Sequence, residues 1–113
     1  MDTQSPRDSE AELFGALADP TRRQVLQLLG TGPLRAGELA AATGTSGPAM
    51  SRHLRVLLRA GFVADERPED DARGRVFRLR PQSLVALRAW LDQLQAQWDE
   101  QLASFKHHVE KGP

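Results

Sequence analysis

Apolar residues spaced three or four positions apart predict two helices at the start of the chain. The first begins at Ser9, whose hydroxyl suits a helix N-cap, and residues 1–8 before it predict a disordered tail. Its apolar stripe consists of Leu13, Phe14 and Leu17. The second helix begins after Asp19, a good N-cap, with Pro20 as first helical residue, and ends in the turn at 30–33. Its buried face is predicted to be Val25, Leu26, Leu28 and Leu29.

Two further helices, joined by a turn that contains glycine, are predicted at residues 36–42 and 47–60. Ser46, the last residue of the turn, can cap the fourth helix, and Gly61 can end it. The predicted buried side chains are Leu39 and Ala40 on the third helix and Met50, Leu54, Leu57 and Leu58 on the fourth. Two helices joined by so short a turn form the helix-turn-helix arrangement, whose second helix enters the major groove of DNA.

Residues 62–66 and 75–80 predict the two strands of a hairpin, because the second alternates polar and apolar side chains. Residues 67–74 between them form the hairpin tip, or wing, and Pro81 breaks the second strand. The sequence therefore predicts a mainly α fold with a small β-hairpin wing, a winged helix-turn-helix in the order α-α-α-α-β-β-α.

The last segment carries the longest apolar pattern, again at steps of three and four residues. Its members are Leu84, Leu87, Leu91, Leu94, Trp98, Leu102 and Phe105. A helix of this length would be roughly 35–40 Å long, more than a small domain can cover on every side. We expect a seam shared between two copies over residues 84–105, with a C-terminal tail at 109–113. A helix packed on the core of its own domain remains the alternative.

Composition restricts the class of protein further. The 113 residues suffice for one domain, here 9–108, and the absence of cysteine excludes disulfides and thiolate metal sites. No signal-peptide pattern and no run of about 20 apolar residues occurs, so we expect a cytoplasmic protein with no membrane partner. The zero net charge argues mildly against a nucleic-acid partner, yet eight arginines cluster between Arg52 and Arg80.

Several segments resemble the ArsR/SmtB family of transcriptional repressors. They are LADPTRR at 17–23, GELA at 37–40, PAMSRHLRVL at 48–57, AG at 60–61 and GR at 74–75. The resemblance covers about residues 9–80, and the helix at 81–108 fits the dimerisation helix of the family. It implies a homodimer that binds a palindromic operator in double-stranded DNA and is released by an effector, such as a small molecule, that the sequence does not name.

The predicted DNA-binding residues lie at the start of the fourth helix and in the wing. They are Thr45, Ser46, Gly47, Pro48, Ser51, Arg52, Arg55, Arg73 and Arg75. Arg52 can bond a guanine edge with two hydrogen bonds or bind a phosphate, whereas Ser46 is first of all a cap. The family commonly has glutamine where this chain has Gly47, so direct recognition of bases is weaker and depends on Ser51, Arg52 and DNA shape. The acids at 69–71 would repel phosphate unless they pair with neighbouring arginines, so DNA contact in the wing is assigned to the Arg73–Arg75 side only.

The predicted dimerisation residues combine the first and last helices. They are Leu13, Phe14, Leu17, Leu87, Leu91, Leu94, Trp98 and Leu102. Two polar residues of the helix-turn-helix region are interpreted as structural. His53 is expected to be packed or hydrogen-bonded, and Arg22 is expected to pair with an acid such as Asp19.

We expect no cofactor and no native metal site. One metal-sensing group of the resembled family uses cysteines, and another uses an Asp-x-His pair, but here Asp92 is followed by Gln93-Leu94. His107 and His108 point about 100° apart on a helix, which is poor geometry for one ion. No phosphate-binding loop or nucleophile motif indicates an enzyme. The alternatives are a winged-helix adaptor that binds protein, favoured by the acidic wing and zero net charge, and a metal-responsive repressor.

Overall fold

The computed structural model describes residues 6–67 and 74–112. Within these ranges five helices and three short strands follow one another: α1 (Pro6–Leu17), α2 (Pro20–Leu29), β1 (Leu34–Arg35), α3 (Ala36–Thr43), α4 (Gly47–Ala60), β2 (Val63–Glu66), β3 (Val76–Leu79) and α5 (Gln82–Lys111). The predicted fold, mainly helical with a β-hairpin, is confirmed. None of the described helices combines the length and apolarity needed to cross a membrane.

The ends of α2 and α4 follow from the residues that cap them. The Asp19 carboxylate accepts hydrogen bonds from the backbone N–H groups of Thr21 at 2.7 Å and Arg22 at 3.2 Å. Ser46 caps α4 by accepting from the backbone N–H of Ala49 at 3.2 Å. Gly61 ends α4 with φ of 81°, a left-handed conformation that costs least at glycine. The residues Asp19, Ser46 and Gly61 in the sequence predicted each of these ends.

The core lies between the first four helices and the sheet. Its buried members are Ala16, Val25, Leu26, Leu29, Leu39, Ala40, Met50, Leu54, Leu57, Phe62, Val63 and Phe77. Further apolar side chains pack against the edge of this core. Among them, Leu13, Leu17 and Leu28 are half-buried. Helix α5 contributes no fully buried residue to this core.

The sheet has three strands where the sequence predicted two. Strand β1 pairs antiparallel with β3, with Leu34 opposite Phe77 and Arg35 opposite Val76, so the strand order is β1-β3-β2. A strand of two residues cannot show an alternating pattern, and its partner lies about 40 residues further along the chain. The predicted hairpin itself is present, with Val63 opposite Leu79 and Glu66 opposite Val76.

Both terminal helices are longer than the sequence predicted. Helix α1 begins at Pro6, so Ser9 lies inside the helix and residues 6–8 are not part of a tail. Proline fits the first turn of a helix because its missing N–H has no partner there anyway. Helix α5 runs to Lys111 and takes in most of the predicted tail at 109–113. Residues 1–5 of the predicted tail and most of the wing tip lie outside the described residues.

Candidate nucleic-acid interface

Helix α4 has one buried face and one exposed face. Met50, Leu54 and Leu57 are at most 2% exposed and fix the helix on the core. The opposite face carries the predicted DNA-binding residues Gly47, Pro48, Ser51, Arg52 and Arg55, all of them exposed. Because the buried face holds the helix in place, the exposed side chains form a rigid polar surface at its N-terminal end. A surface of this kind suits insertion into the major groove of DNA.

The turn before α4 holds the other two predicted residues of this region. Gly44 adopts φ of 67° and lets the chain turn sharply after α3. The hydroxyl groups of Thr43 and Thr45 lie 2.9 Å apart, so the half-buried Thr45 side chain is tied to the turn. Ser46 is exposed, and its hydroxyl oxygen already accepts the capping hydrogen bond. Both residues therefore stabilise the entry to α4, whatever else they contact.

In the wing, the structure places Arg75 but not Arg73, which lies outside the described residues. The Arg75 guanidinium forms an ion pair with Asp65 of β2 at 2.7 Å, and it lies 5.5 Å from the centre of the Phe77 ring. Both contacts orient the side chain, which stays about half exposed. A DNA phosphate would compete with Asp65 for this guanidinium.

A cleft lies beside the exposed face of α4, and we call it the β1–α4 cleft. It has a volume of about 850 Å³. Its walls come from the end of β1 and the start of α3, from α4, and from β3 with the residue before it. The lining residues are Arg35, Ala36, Gly37, Glu38, Ser51, Leu54, Arg55, Leu58, Arg75 and Phe77. It brings together three predicted DNA-binding residues and adds Arg35, which sequence analysis did not single out.

Arg22 connects three helices near the interface. Its Nε donates to the carbonyl of Ala16 at 2.7 Å and its Nη2 donates to that of Gly15 at 2.9 Å, both in α1. Its Nη1 lies 3.3 Å from Nδ1 of His53 in α4. Since a guanidinium only donates, Nδ1 of His53 accepts this hydrogen bond. The structural roles expected for both residues hold, but the side-chain partner expected for Arg22, Asp19, is wrong.

Asp19 is the acid whose pKa is perturbed within this cluster. Desolvation raises its pKa, but the hydrogen bonds from the backbone of Arg22 and Thr21 lower it, as does the nearby charge of Arg22. The net effect places the pKa of Asp19 below its ordinary value. The carboxylate therefore stays ionised as the cap of α2 at neutral pH.

The predicted dimerisation residues fall into two groups. Leu13, Leu17, Leu87 and Leu94 are half-buried, and the Phe14 and Trp90 rings pack edge to face at 5.0 Å, which joins α1 to α5. Beyond this contact α5 exposes large apolar side chains along one face. They are Leu91, Trp98, Leu102, Phe105 and Val109, between 48% and 67% exposed. Val109 was not among the predicted residues, because the predicted tail at 109–113 begins with it, whereas α5 extends to Lys111.

The histidines of α5 do not form a cluster in this structure. His107 and His108 are exposed, and the neighbouring Lys106 pairs with Glu110 at 3.9 Å. Across residues 6–67 and 74–112, no group of three or more histidine, aspartate or glutamate side chains is arranged to hold a metal ion. The expected absence of a metal site stays a prediction.

Comparison with known proteins identifies the family. Residues 17–66 match a helix-turn-helix domain family. The HTH-type transcriptional regulator Rv2034 of Mycobacterium tuberculosis is 42% identical over 95 residues, which are 84% of this chain and 83% of the relative. Among solved structures, an ArsR-like regulator from Rhodococcus sp. RHA1 superposes with a TM-score of 0.84 at 28% identity, over 93% of this chain and 94% of the other.

A second solved structure is described as a homodimer. It is the winged helix-turn-helix DNA-binding domain of an ArsR-family protein from Mycobacterium bovis, with a TM-score of 0.62 and 27% identity over 89% of this chain and 95% of that domain. The conserved architecture extends over nearly the whole of both proteins. The chain thus belongs to the ArsR/SmtB family of winged helix-turn-helix transcriptional regulators.

Proposed function

We propose that the chain is a homodimeric repressor that places one α4 helix in each half-site of a palindromic operator. As a member of a family of DNA-binding regulators it acts on DNA and is not an enzyme. The observation that carries the proposal is the exposed polar face of α4, fixed from behind by buried Met50, Leu54 and Leu57. Bound over a promoter, such a dimer represses by excluding the polymerase.

Within α4 the exposed residues divide by chemistry. Arg52 has the donors to bond the O6 and N7 of one guanine, and Ser51 has a hydroxyl for a base or a phosphate. Gly47 offers no side chain, so that position contributes close approach of the backbone to DNA rather than recognition of a base. The proposed specificity therefore depends on Arg52, Ser51 and the shape of the operator.

A second copy of the chain is the proposed occupant of the apolar face of α5. A monomer would leave Trp98, Leu102, Phe105 and Val109 each more than half exposed on one helix face. The M. bovis domain, whose fold this chain shares, is a homodimer. In a two-fold dimer of this kind, the two α4 helices would bind half-sites about one helical turn of DNA, roughly 34–36 Å, apart.

A gel shift tests the proposed function. The probe is the DNA upstream of the protein's own gene, at two salt concentrations and with an unrelated duplex as competitor. We expect a retarded complex that persists against the competitor and weakens as salt rises, because phosphate contacts release counterions. Footprinting should then show two protected half-sites. A wild-type protein that binds no promoter DNA at low salt would refute the proposal and favour an adaptor that binds protein.

A further inference from the structure

We propose that the β1–α4 cleft holds the sugar-phosphate backbone of the operator, with Arg35, Arg55 and Arg75 binding phosphate oxygens. This inference rests on the proposed function and deepens it, because it assigns these arginines to the backbone and not to the bases. It also extends the interface to Arg35, which precedes the helix-turn-helix.

The charge of the cleft selects an anion. Three arginines and one glutamate line it, so the lining is net positive. The arginines come from three separate places: Arg35 from β1, Arg55 from α4, and Arg75 from the residue before β3. Guanidinium groups suit phosphate because their planar donors bind two oxygens at once. Positive groups spread along a cleft match a chain of phosphates better than a single charge.

The position of the cleft selects DNA as the source of that anion. Ser51 and Arg55 belong both to the cleft lining and to the exposed face of α4. When that face enters the major groove, the strand bordering the groove must run beside the helix, where the cleft opens. The β-sheet, which forms the opposite wall of the cleft, would limit how far this DNA strand can move. Backbone contacts in the cleft would then fix the register of α4 on the DNA without carrying sequence information.

The size of the cleft separates a nucleic-acid strand from a free anion. Its volume of about 850 Å³ is far greater than one phosphate ion needs, since a water molecule takes about 30 Å³. Arg35 and Arg75 are also already oriented, because Arg35 lies 3.8 Å from Glu38 and Arg75 lies 2.7 Å from Asp65. Such carboxylates hold the side chains in place and are replaced by phosphate oxygens when DNA binds.

The chain supplies matched control residues. Arg78 lies on β3, three residues after Arg75, and is equally exposed at about half, but it pairs with Glu66 at 3.9 Å and does not line the cleft. Arg59 lies one turn after Arg55 on α4 and lines a small cavity beside α1 instead. Replacing either arginine removes the same charge from outside the cleft lining.

The experiment compares five glutamine variants by fluorescence anisotropy. Arg35→Gln, Arg55→Gln and Arg75→Gln change the cleft, and Arg59→Gln and Arg78→Gln are the controls. Each is titrated with the footprinted operator and with a shuffled duplex between 50 and 300 mM salt. Circular dichroism checks that each variant is folded. Arg55→Gln is the cleft variant least able to disturb the core, because Arg55 is exposed on α4.

We expect each cleft variant to bind both duplexes more weakly by the same factor, roughly tenfold at 0.1 M salt, with a salt slope smaller by about one. The two controls should match the wild type. The inference would be overturned if the wild type binds its operator and all three cleft variants match it in affinity and salt slope. Loss of operator preference with unchanged binding of the shuffled duplex would also overturn it, because that result assigns the arginines to bases.

Titration with inorganic phosphate tests whether the cleft is instead a site for a small anion. The phosphate is titrated into the free wild-type protein and followed by NMR at the cleft residues. We expect only weak, nonsaturating shifts at millimolar concentration. A different result would refute the proposal that the cleft binds the DNA backbone. In that case phosphate binding saturates below 1 mM and disappears in Arg55→Gln, while that variant binds the operator as the wild type does. The cleft would then be a site for a free anion. If the wild type shows no operator preference, the proposed function fails instead.

Discussion

At the scale of single residues, Asp19 combines a capping contact with a charge. Its carboxylate accepts two backbone hydrogen bonds at the start of α2, and these bonds lower its pKa against the opposing effect of desolvation. The contact is local and needs no long-range packing, so the sequence alone predicted it. Its energetic consequence is open to direct measurement.

We expect Asp19→Ala to lower the free energy of unfolding by about 1 kcal/mol at pH 7, because the N–H groups of Thr21 and Arg22 lose their acceptor. Urea unfolding measures the difference. Because the folded-state pKa lies below the ordinary value of 3.8, the contribution of the charge is complete above that pH and is lost as the pH falls through the folded pKa.

Asp19→Asn is the control for the charge, since an amide oxygen also caps a helix. Its stability should lie near that of the wild type and should fall less between pH 5 and pH 3. Equal acid sensitivity of the wild type and Asp19→Asn would show that other carboxylates set the stability in this range.

Arg52 is the residue on which base recognition is proposed to depend. Arg52→Ala should weaken operator binding by about 1–3 kcal/mol if the guanidinium bonds one guanine with two hydrogen bonds. The measurement compares the operator with duplexes altered one base pair at a time. The variant should become indifferent to one of those changes, whereas Arg59→Ala should keep the wild-type preferences. A uniform loss over all duplexes would make Arg52 a phosphate contact.

At the scale of elements, the apolar pattern predicted all five described helices but not the contacts that join distant segments. The ends of α4 were predictable because Ser46 and Gly61 act on neighbouring residues. Strand β1 was missed because two residues show no periodicity and their partners are far along the chain. Arg35 was missed for the same reason, since its place in the β1–α4 cleft depends on pairing with β3.

The polar partner of Arg22 was also not predictable from the sequence, because it comes from a distant segment. The sequence suggested Asp19, a neighbour, whereas the guanidinium bonds α1 carbonyls and His53, which is 31 residues away. Only the folded arrangement of α1, α2 and α4 brings these groups together. Because α1 also packs on α5 through Phe14 and Trp90, Arg22 links the helix expected to dimerise with the helix expected to contact DNA.

This link predicts a difference between two adjacent arginines. Arg22→Ala should lower the free energy of unfolding by about 1–3 kcal/mol, because two α1 carbonyls and His53 lose a charged donor. Arg23 also donates to α1, to the carbonyl of Leu17 at 2.7 Å, and this hydrogen bond does not involve α4. At a temperature where both variants are fully folded, Arg22→Ala should bind the operator more weakly than Arg23→Ala. Equal affinities would show that the link does not position α4.

At the scale of the whole molecule, α5 decides how two DNA-binding surfaces are combined. Its 30 residues extend for about 45 Å, and its second half exposes one apolar face. The periodic pattern predicted this face, but the sequence left open whether it packs on its own domain. The structure shows no fully buried residue on the helix, so that domain covers it only in part.

A charge placed in the apolar face of α5 tests whether a second copy covers this face. Leu102→Glu places a charge on a position that is 65% exposed in the single chain, so the fold of each domain should survive. In a dimer the same carboxylate would be desolvated against its partner, at a cost that opposes association. Sedimentation at micromolar concentration should therefore show monomers. The operator affinity should fall and should depend steeply on protein concentration, because two weakly associated chains must meet on one DNA site.

Gln93→Glu is the matched control, because it adds the same charge to α5 on the face opposite Leu91, Trp98 and Leu102 at 100° per residue. It should remain a dimer with wild-type affinity. A Leu102→Glu protein that stays dimeric would place the dimer contact elsewhere. If Leu102→Glu is monomeric yet binds the full operator as tightly as the wild type, dimerisation through α5 is not what pairs the two α4 helices on DNA.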